Sequence, residues 1–147
     1  IKVICVGKIK EDYLKKGIEE YKKRISKYSK IEIIELIDES NGNILEKERD
    51  KILKYINDKD YIITLEIDGN NVDSVELSKK IENIYLNYSN ITFIIGGSYG
   101  LHDDIKSKSN YALSFSKLTF PHQLFRMMLL EQIYRSFKIS HNETYHK

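Results

Sequence analysis

Hydrophobic residues are spaced in two different ways along the chain. Strand-like runs occur at five places: the first four are short and apolar, typical of buried strands, and the fifth alternates between apolar and small polar residues. They are IKVICVG at 1–7, IEIIELI at 31–37, YIITLEI at 61–67, ITFII at 91–95 and YALSFS at 111–116. Because the runs are apolar on both faces, they favour a sheet that is covered on both sides.

Between these runs, apolar residues recur at intervals of three and four, which is the spacing of an amphipathic helix. The first such stripe consists of Leu14, Ile18, Tyr21, Ile25 and Tyr28. Further helices are predicted over 44–56, 74–88, 101–109 and about 121–137, where the chain's one proline, Pro121, suits the first turn. Strands that alternate with helices predict an α/β fold, with a mostly parallel sheet flanked by helices.

Composition narrows the class of protein. The chain has 147 residues, of which 41% are hydrophobic, and no repeat or linker divides it, so we expect a single domain over 1–147. No apolar run approaches the ~20 residues of a membrane span, and no secretion signal is seen at the start. The one cysteine, Cys5, has no partner for a disulfide, and no C-x-x-C motif offers zinc ligands. We therefore expect a cytoplasmic protein with no metal and no membrane contact.

Charge is unevenly distributed, although the net charge is only +2. Segment 8–30 has nine basic and four acidic residues, and segment 117–147 has five basic and two acidic residues. Segment 31–66 has the opposite balance, with ten acidic and five basic residues. If the fold brings the two basic segments together, they form a face for a polyanion. For segment 8–30 alone, a solvated helix face is the simpler interpretation.

The turn IIGGSYG at 94–100 has two interpretations. Gly96, Ser98 and Gly100 spell G-x-S-x-G, the nucleophile elbow of serine hydrolases. A triad can be drawn with His122 and either Asp103 or Asp104, but these acids follow the serine more closely than in the usual arrangement. Alternatively, the glycines let the backbone approach a small ligand. The glycine patterns of Rossmann and P-loop sites are absent.

Three loops follow the later strands: TLEIDG at 64–69, IIGGSYG at 94–100 and SFSKLTFPHQ at 114–123. Ligands of parallel sheets bind at the carboxyl ends of the strands. We expect these loops to hold a flat aromatic ligand through backbone hydrogen bonds and apolar packing. The alternative is that Phe115 and Phe120 are core residues and that the glycines only make turns.

The same loops carry a resemblance to a known family. TLEIDG, IIGGSYGL, NYALSFSKLTFPHQLFR and the YHK at 145–147 are similar to segments of the ribosomal large subunit methyltransferase H family, as are VICVGKIKEDYLKKGIEEYKKRI and EQIYRSFKI. The resemblance spans nearly the whole chain in order, and FSKLTFPHQLFR and YHK are its specific motifs. The chain departs from the family at Asn70, where many members have a basic residue, and in a shorter segment between the second strand and the second helix.

The resemblance implies a SPOUT-class methyltransferase, a parallel α/β fold whose C-terminal part forms a trefoil knot. It implies a homodimer with the site near the interface. It implies S-adenosylmethionine (AdoMet) as methyl donor, S-adenosylhomocysteine as product, and N3 of a pseudouridine in the helix-69 loop of 23S rRNA, within the assembled 70S ribosome, as acceptor. The cofactor contacts that it implies are Leu65, Gly96, Phe115, Ser116, Lys117, Leu118, Thr119 and Phe120. In this interpretation Gly96 and Gly97 leave room for the cofactor, and Ser98 is not a nucleophile.

Methylation at N3 requires the loss of a proton, so a base or a group that stabilises the anion is needed. Among the candidates, His146 is predicted to accept the proton and Tyr145 to stack on or orient the base. Arg126 is predicted to hold a phosphate or a base carbonyl through its fork of donors. The alternatives are a disordered tail, a His122 that only caps the last helix, and an Arg126 that pairs with Glu131. A ribosome-binding protein without chemistry is a further functional alternative.

Overall fold

All residues from 1 to 147 are described by a computed structural model. Its strands are β1 (Lys2–Val6), β2 (Glu32–Leu36), β3 (Tyr61–Asn71), β4 (Ile91–Ile95) and β5 (Tyr111–Ser114). They form one sheet in the order β2-β1-β4-β3-β5, in which every neighbouring pair is parallel. The predicted α/β class with a parallel sheet is confirmed.

Five helices cover the two faces of this sheet. They are α1 (Asp12–Ile25), α2 (Ile44–Leu53), α3 (Ser74–Ile84), α4 (Asp103–Lys106) and α5 (His122–Ser140). Helices α1, α3 and α5 enclose a core cluster of 18 buried residues, whereas α2 and α4 enclose one of 8 residues on the other face. No helix has both the length and the apolar character that a membrane span requires.

The two clusters explain why the strands appear as continuous apolar runs. In β1, Val3 and Cys5 belong to the larger cluster, and Ile4 and Val6 belong to the smaller one. All five residues of β4 are buried in the same way. Since successive side chains of a strand point to opposite faces, a strand between two helical layers is apolar at nearly every position, and the buried Thr92 of β4 is bonded to Asp60.

The third strand is longer than its apolar run predicts. The run ends at Ile67, but β3 continues through the predicted turn to Asn71. Its last residues pair with β5 in a shifted register, and the side-chain amides of Asn70 and Asn71 donate to the carbonyls of Ala112 (3.0 Å) and Ser114 (3.1 Å). The polar extension is therefore stabilised by hydrogen bonds to a strand that lies forty residues away in sequence, which no local pattern reveals.

The helices also differ from their predicted lengths. Helix α4 is confined to Asp103–Lys106, and the His102 ring caps it by accepting the N–H of Asp104 at 3.0 Å. Helix α5 continues to Ser140, and Pro121 precedes its first residue rather than occupying its first turn. Helices α1 and α5 pack so closely that Met127 occupies the place where a side chain on Gly17 would lie.

Helices α1 and α5 both run away from the carboxyl edge of the sheet, the edge at which the parallel strands end. Helix α5 begins there, because His122 contacts Gly7 at the end of β1. The far ends of the two helices also meet, since the Tyr28 hydroxyl hydrogen-bonds to Glu143 and Lys138 forms an ion pair with the same carboxylate. The fold thus brings the two basic segments together, and most of their charge lies toward the opposite edge.

Candidate functional site

A cavity of about 430 Å³ lies at the carboxyl edge of the sheet, where the loops after β3, β4 and β5 meet the start of α5. This volume lies within the range of roughly 300–1,000 Å³ that small-molecule sites occupy. Seven of the eight predicted cofactor contacts line it: Leu65, Gly96, Phe115, Ser116, Leu118, Thr119 and Phe120. The eighth, Lys117, is exposed and does not line the cavity.

One wall of the cavity is aromatic. The rings of Phe115 and Phe125 meet edge to face at 4.8 Å, and Phe120 stacks beyond them at 6.3 Å from Phe125. Phe115 and Phe120 are only half-buried, so they are not simply core residues. Leu118 is 70% exposed beside them and adds apolar surface at the edge of the cavity. Sequence reasoning missed Phe125. Its position one helical turn after Pro121 could have indicated that it faces the same loop.

The opposite wall carries two carboxylates that sequence reasoning also missed. Glu66 and Asp68 line the cavity at the end of β3, next to the predicted Leu65. Glu66 accepts a hydrogen bond from the hydroxyl of Thr64 at 2.6 Å and lies 3.9 Å from Lys106. Carboxylates here favour a ligand that carries positive charge or hydroxyl groups. The signal was present in the TLEIDG segment itself, whose two acidic residues alternate with apolar ones in the second half of β3.

The glycines of the turn at 96–100 are required by the turn. The N–H of Gly100 donates to the carbonyl of Gly97 at 3.1 Å, and Gly100 has a φ of +79°, in the left-handed region. A Cβ at Gly96 would collide with the Gly100 carbonyl, and one at Gly97 would lie 3.1 Å from Val6 and 3.3 Å from a Glu48 oxygen. A side chain at either glycine would therefore meet protein atoms, whereas the backbone of both residues lines the cavity. That these glycines leave room for a cofactor stays a prediction.

The hydrolase triad is not assembled. Ser98 is exposed and makes no hydrogen bond to a histidine or an acid. Asp104 pairs instead with Arg49 at 3.0 Å. His122 begins α5 and makes no capping hydrogen bond, so the expectation that it only caps the helix is also wrong; its ring lines the cavity. The geometry offers Ser98 no base.

Arg126 lies inside the protein. Its side chain is 1% exposed, and Nη1 lies 2.6 Å from Oε2 of Glu35 while Nη2 donates to the carbonyl of Gly7 at 2.7 Å. The alternative partner, Glu131, pairs instead with Arg135. The catalytic role of Arg126 stays a prediction, but both arms of its fork are engaged by β1 and β2. Sequence reasoning missed Glu35, which is distant in the chain and sits in an alternating strand.

The tail, residues 141–147, folds back on α5. The Tyr145 hydroxyl donates to Glu131 at 3.0 Å, its ring meets Tyr134 at 4.9 Å, and the Arg135 guanidinium lies 4.8 Å above it. Burial, followed by the hydrogen bond to Glu131, raises the pKa of Tyr145 to about 12. His146 Nδ1 lies 3.1 Å from Arg135. The tail is thus ordered and packed against α5, and the alternative of a disordered tail is wrong.

The tail and the cavity lie far apart within one chain. Arg135 is thirteen residues after His122 on the same helix, a separation of about 20 Å along its axis. His146 contacts Arg135, whereas His122 lines the cavity. The structure therefore brings the predicted cofactor residues together but does not bring the predicted catalytic residues Tyr145 and His146 to them.

Two other chemistries have no support in the structure. No group of three or more His, Cys, Asp or Glu side chains could hold a metal ion. Burial in β1 raises the pKa of the Cys5 thiol to about 12, so the reactive thiolate is scarce at neutral pH.

Comparison with known proteins gives one consistent result. The family model described as "Predicted SPOUT methyltransferase" matches residues 1–146. The chain is 53% identical to the ribosomal RNA large subunit methyltransferase H of Clostridium botulinum (strain Alaska E43 / Type E3), over 157 aligned residues that cover 100% of this chain and 99% of the relative. It is 52% identical, with the same coverage, to the protein of that name from Streptococcus uberis (strain ATCC BAA-854 / 0140J).

A solved structure supports the fold independently of sequence. The "probable methylase family protein" from Haemophilus influenzae Rd KW20 superposes with a TM-score of 0.61, covering 99% of this chain and 70% of that one. At 11% identity, this likeness shows the fold alone.

Proposed function

Because the chain belongs to the ribosomal RNA large subunit methyltransferase H family, within the SPOUT methyltransferases, we propose that it methylates N3 of a pseudouridine in 23S rRNA. At the coarser level that the family supports, it is an rRNA methyltransferase. The proposed acceptor lies in the helix-69 loop of the assembled 70S ribosome, and the proposed donor is AdoMet, with S-adenosylhomocysteine as product. A ribosomal substrate also favours the cytoplasm.

The observation that carries the proposal is the cavity at the carboxyl edge. Its residues fit AdoMet: Phe115 and Phe120 offer apolar surface to an adenine ring, and the loop backbones offer hydrogen bonds. Glu66 and Asp68 suit the ribose hydroxyls and the positive charges of the ligand. No metal is required, because the sulfonium of AdoMet supplies an already activated methyl group.

The contribution of the protein is then mainly one of position. Aligning two reactants in line can supply several kcal/mol, roughly 7–11 in well-oriented model reactions. The loops at 64–69, 96–100 and 115–120 hold one reactant at the strand ends, and Leu118 can shield the site from water once RNA covers it. The proton on N3 needs a separate acceptor.

We propose that this acceptor is His146 of a second copy of the chain, with Tyr145 beside it. The separation of about 20 Å between the tail and the cavity of one chain supports this arrangement. In a two-fold dimer, each tail could approach the cavity of the other copy. The proposal therefore includes a homodimer whose site lies near the interface.

We also propose the trefoil knot. Helix α5 starts beside β1, although it follows β5, which lies at the far edge of the sheet. The segment 115–121 must therefore cross the ends of β3 and β4 to reach that place. It passes the glycine turn and lines the same cavity, which supports a threaded arrangement.

The test is methyl transfer with tritiated AdoMet, using unmodified 70S ribosomes and, separately, large subunits. Label is expected in 23S rRNA from 70S particles, and the Ser98→Ala variant should retain it. Binding to ribosomes without label would instead indicate a protein without this chemistry. Loss of activity in Ser98→Ala would instead support a catalytic role for Ser98.

A further inference from the structure

The loop between β1 and α1, residues 7–11, lies beside the cavity and has no part in the reaction described above. A Cβ on Gly7 would lie only 3.2 Å from Nε2 of His122, which lines the cavity. The N–H of Lys10 donates to Oε1 of Gln123 at 3.0 Å. This loop is thus in direct contact with the first two residues of α5.

An ion pair between the buried Arg126 and the partly exposed Glu35 also holds the loop. Oε2 of Glu35 accepts the N–H of Ile9 at 3.0 Å and also lies 2.6 Å from Nη1 of Arg126. Nη2 of the same arginine donates to the carbonyl of Gly7. Because Arg126 is buried in α5, the loop is held at a fixed place relative to the helix that follows the cofactor loop 115–120.

The loop presents two lysines that have no partner. Lys8 and Lys10 are exposed, and neither ammonium group forms an ion pair or a hydrogen bond within the protein. Lys117, on the loop that leads into the same end of α5, is also exposed and unpaired. Ammonium groups that are free of acidic partners and stand on a fixed backbone suit phosphate oxygens.

We propose that Lys8 and Lys10 form a docking surface for backbone phosphates of the RNA strand that carries the acceptor nucleotide. The hydrogen bonds of Ile9 and Lys10 to Glu35 and Gln123 fix this surface relative to the cofactor cavity. The inference rests on the proposed function, because it takes rRNA as the partner. It distinguishes these lysines from Lys22 and Lys23, which lie about 15 Å further along α1, toward the opposite edge.

The experiment compares two double variants with the same charge change. Lys8→Gln/Lys10→Gln removes the proposed contacts, whereas Lys54→Gln/Lys59→Gln removes two exposed, unpaired lysines near the start of β3, at the opposite edge. Affinity for 70S ribosomes is measured without cofactor across a salt series. AdoMet affinity is measured separately to verify that the cavity is intact.

The first variant should weaken ribosome binding tenfold or more at low salt. Each lost phosphate contact should also reduce the slope of log K against log salt by roughly 0.7–0.9. The control should leave the slope unchanged, and AdoMet affinity should stay the same in both. Equal effects of the two variants, or weaker binding with an unchanged slope, would overturn the phosphate assignment. Failure of the wild-type protein to methylate ribosomes, despite normal slopes, would instead contradict only the proposed reaction.

Discussion

The cavity at the carboxyl edge and the tail cluster, formed by Glu131, Arg135, Tyr145 and His146, are organised in opposite ways. The cavity is open, and its aromatic and apolar residues are left partly exposed. The tail cluster is closed on itself, because each of its polar groups has a partner within the cluster. One region is thus ready to receive a ligand, and the other is already occupied by its own side chains.

The difference indicates how the work is divided. In the proposed arrangement, the cavity binds the cofactor with residues of its own chain, and the tail acts at the cavity of a second copy. Releasing Tyr145 breaks its hydrogen bond to the Glu131 carboxylate, which contributes about 1.5–3 kcal/mol, together with an aromatic pair and a cation–π contact of about 0.5–1.5 kcal/mol each. Contacts with a large partner supply energies of this size. Contact with RNA or with a second chain can therefore displace it.

The largest expected effect concerns two arginines on one helix. Arg126→Ala should lower the free energy of unfolding by about 3 kcal/mol, because it breaks a buried ion pair and leaves the Gly7 carbonyl without its donor. Glu35, whose side chain is 37% exposed, can still reach water, which limits the cost. Urea denaturation measures the change.

Arg135→Ala is the matched control for that variant. The guanidinium of Arg135 is more exposed than that of Arg126, so the loss should be smaller, about 1–2 kcal/mol. Similar losses of stability in the two variants would show that the ion pair of Arg126 stabilises the fold no more than that of Arg135.

The next effect separates cofactor binding from the tail. Phe115→Ala should weaken AdoMet binding about tenfold, because it removes aromatic surface from the cavity wall. Tyr145→Phe should leave AdoMet affinity unchanged, because Tyr145 does not line the cavity. Isothermal titration of both variants checks this. If Tyr145→Phe weakened AdoMet binding as much as Phe115→Ala, the tail and the cavity would not be independent.

A smaller effect is expected at the far end of α1. Lys22→Glu/Lys23→Glu should weaken ribosome binding at low salt by long-range repulsion, and the effect should fade at high salt. Cofactor affinity should not change, because neither residue lines the cavity. If ribosome affinity does not move in a filter-binding assay, this surface does not face RNA.

The smallest effect concerns Glu48, which is 4% exposed and lies against Gly97 of the glycine turn. Burial raises the pKa of its carboxyl above the usual value of 4.5, and Oε1 has no hydrogen-bond partner. A raised pKa means that the folded state favours the protonated carboxyl. Protonated Glu48 therefore stabilises the fold at low pH relative to ionised Glu48, and this stabilisation is lost as pH rises through the raised pKa.

Glu48→Gln should remove this pH-dependent loss of stability, because a glutamine amide does not ionise. The variant should therefore gain stability relative to wild type as pH rises from about 4.5 toward neutral. Parallel urea titrations at acidic and neutral pH measure it. A difference that does not vary with pH would mean that the carboxyl ionises freely in the folded protein.

The sequence was informative wherever a structural signal is local. Apolar runs predicted β1 to β4 and alternation predicted β5, because strands packed between helices are rich in apolar residues. The rule for parallel sheets then predicted which loops meet at one edge, and seven of the eight residues carried over from the family line that cavity.

The failures arose from contacts between distant segments. Nothing near Arg126 in the sequence indicates that Glu35 is its partner, and nothing near Asn70 indicates that its amide extends β3 by bonding to Ala112. The closure of the glycine turn on Gly100 also escaped the sequence, because it depends on backbone geometry rather than on residue type. The position of the tail likewise depends on packing against α5.

The division of work between cavity and tail is tested most directly by mixing two inactive variants. Phe115→Ala/Phe120→Ala disables the cavity, and His146→Ala disables the tail. If each site combines the cavity of one chain with the tail of the other, co-refolded variants should regain about a quarter of wild-type methyl transfer, because half of the randomly formed two-fold dimers contain one intact site. Activity no greater than that of the separate variants would mean that the tail of one chain does not serve the cavity of the other.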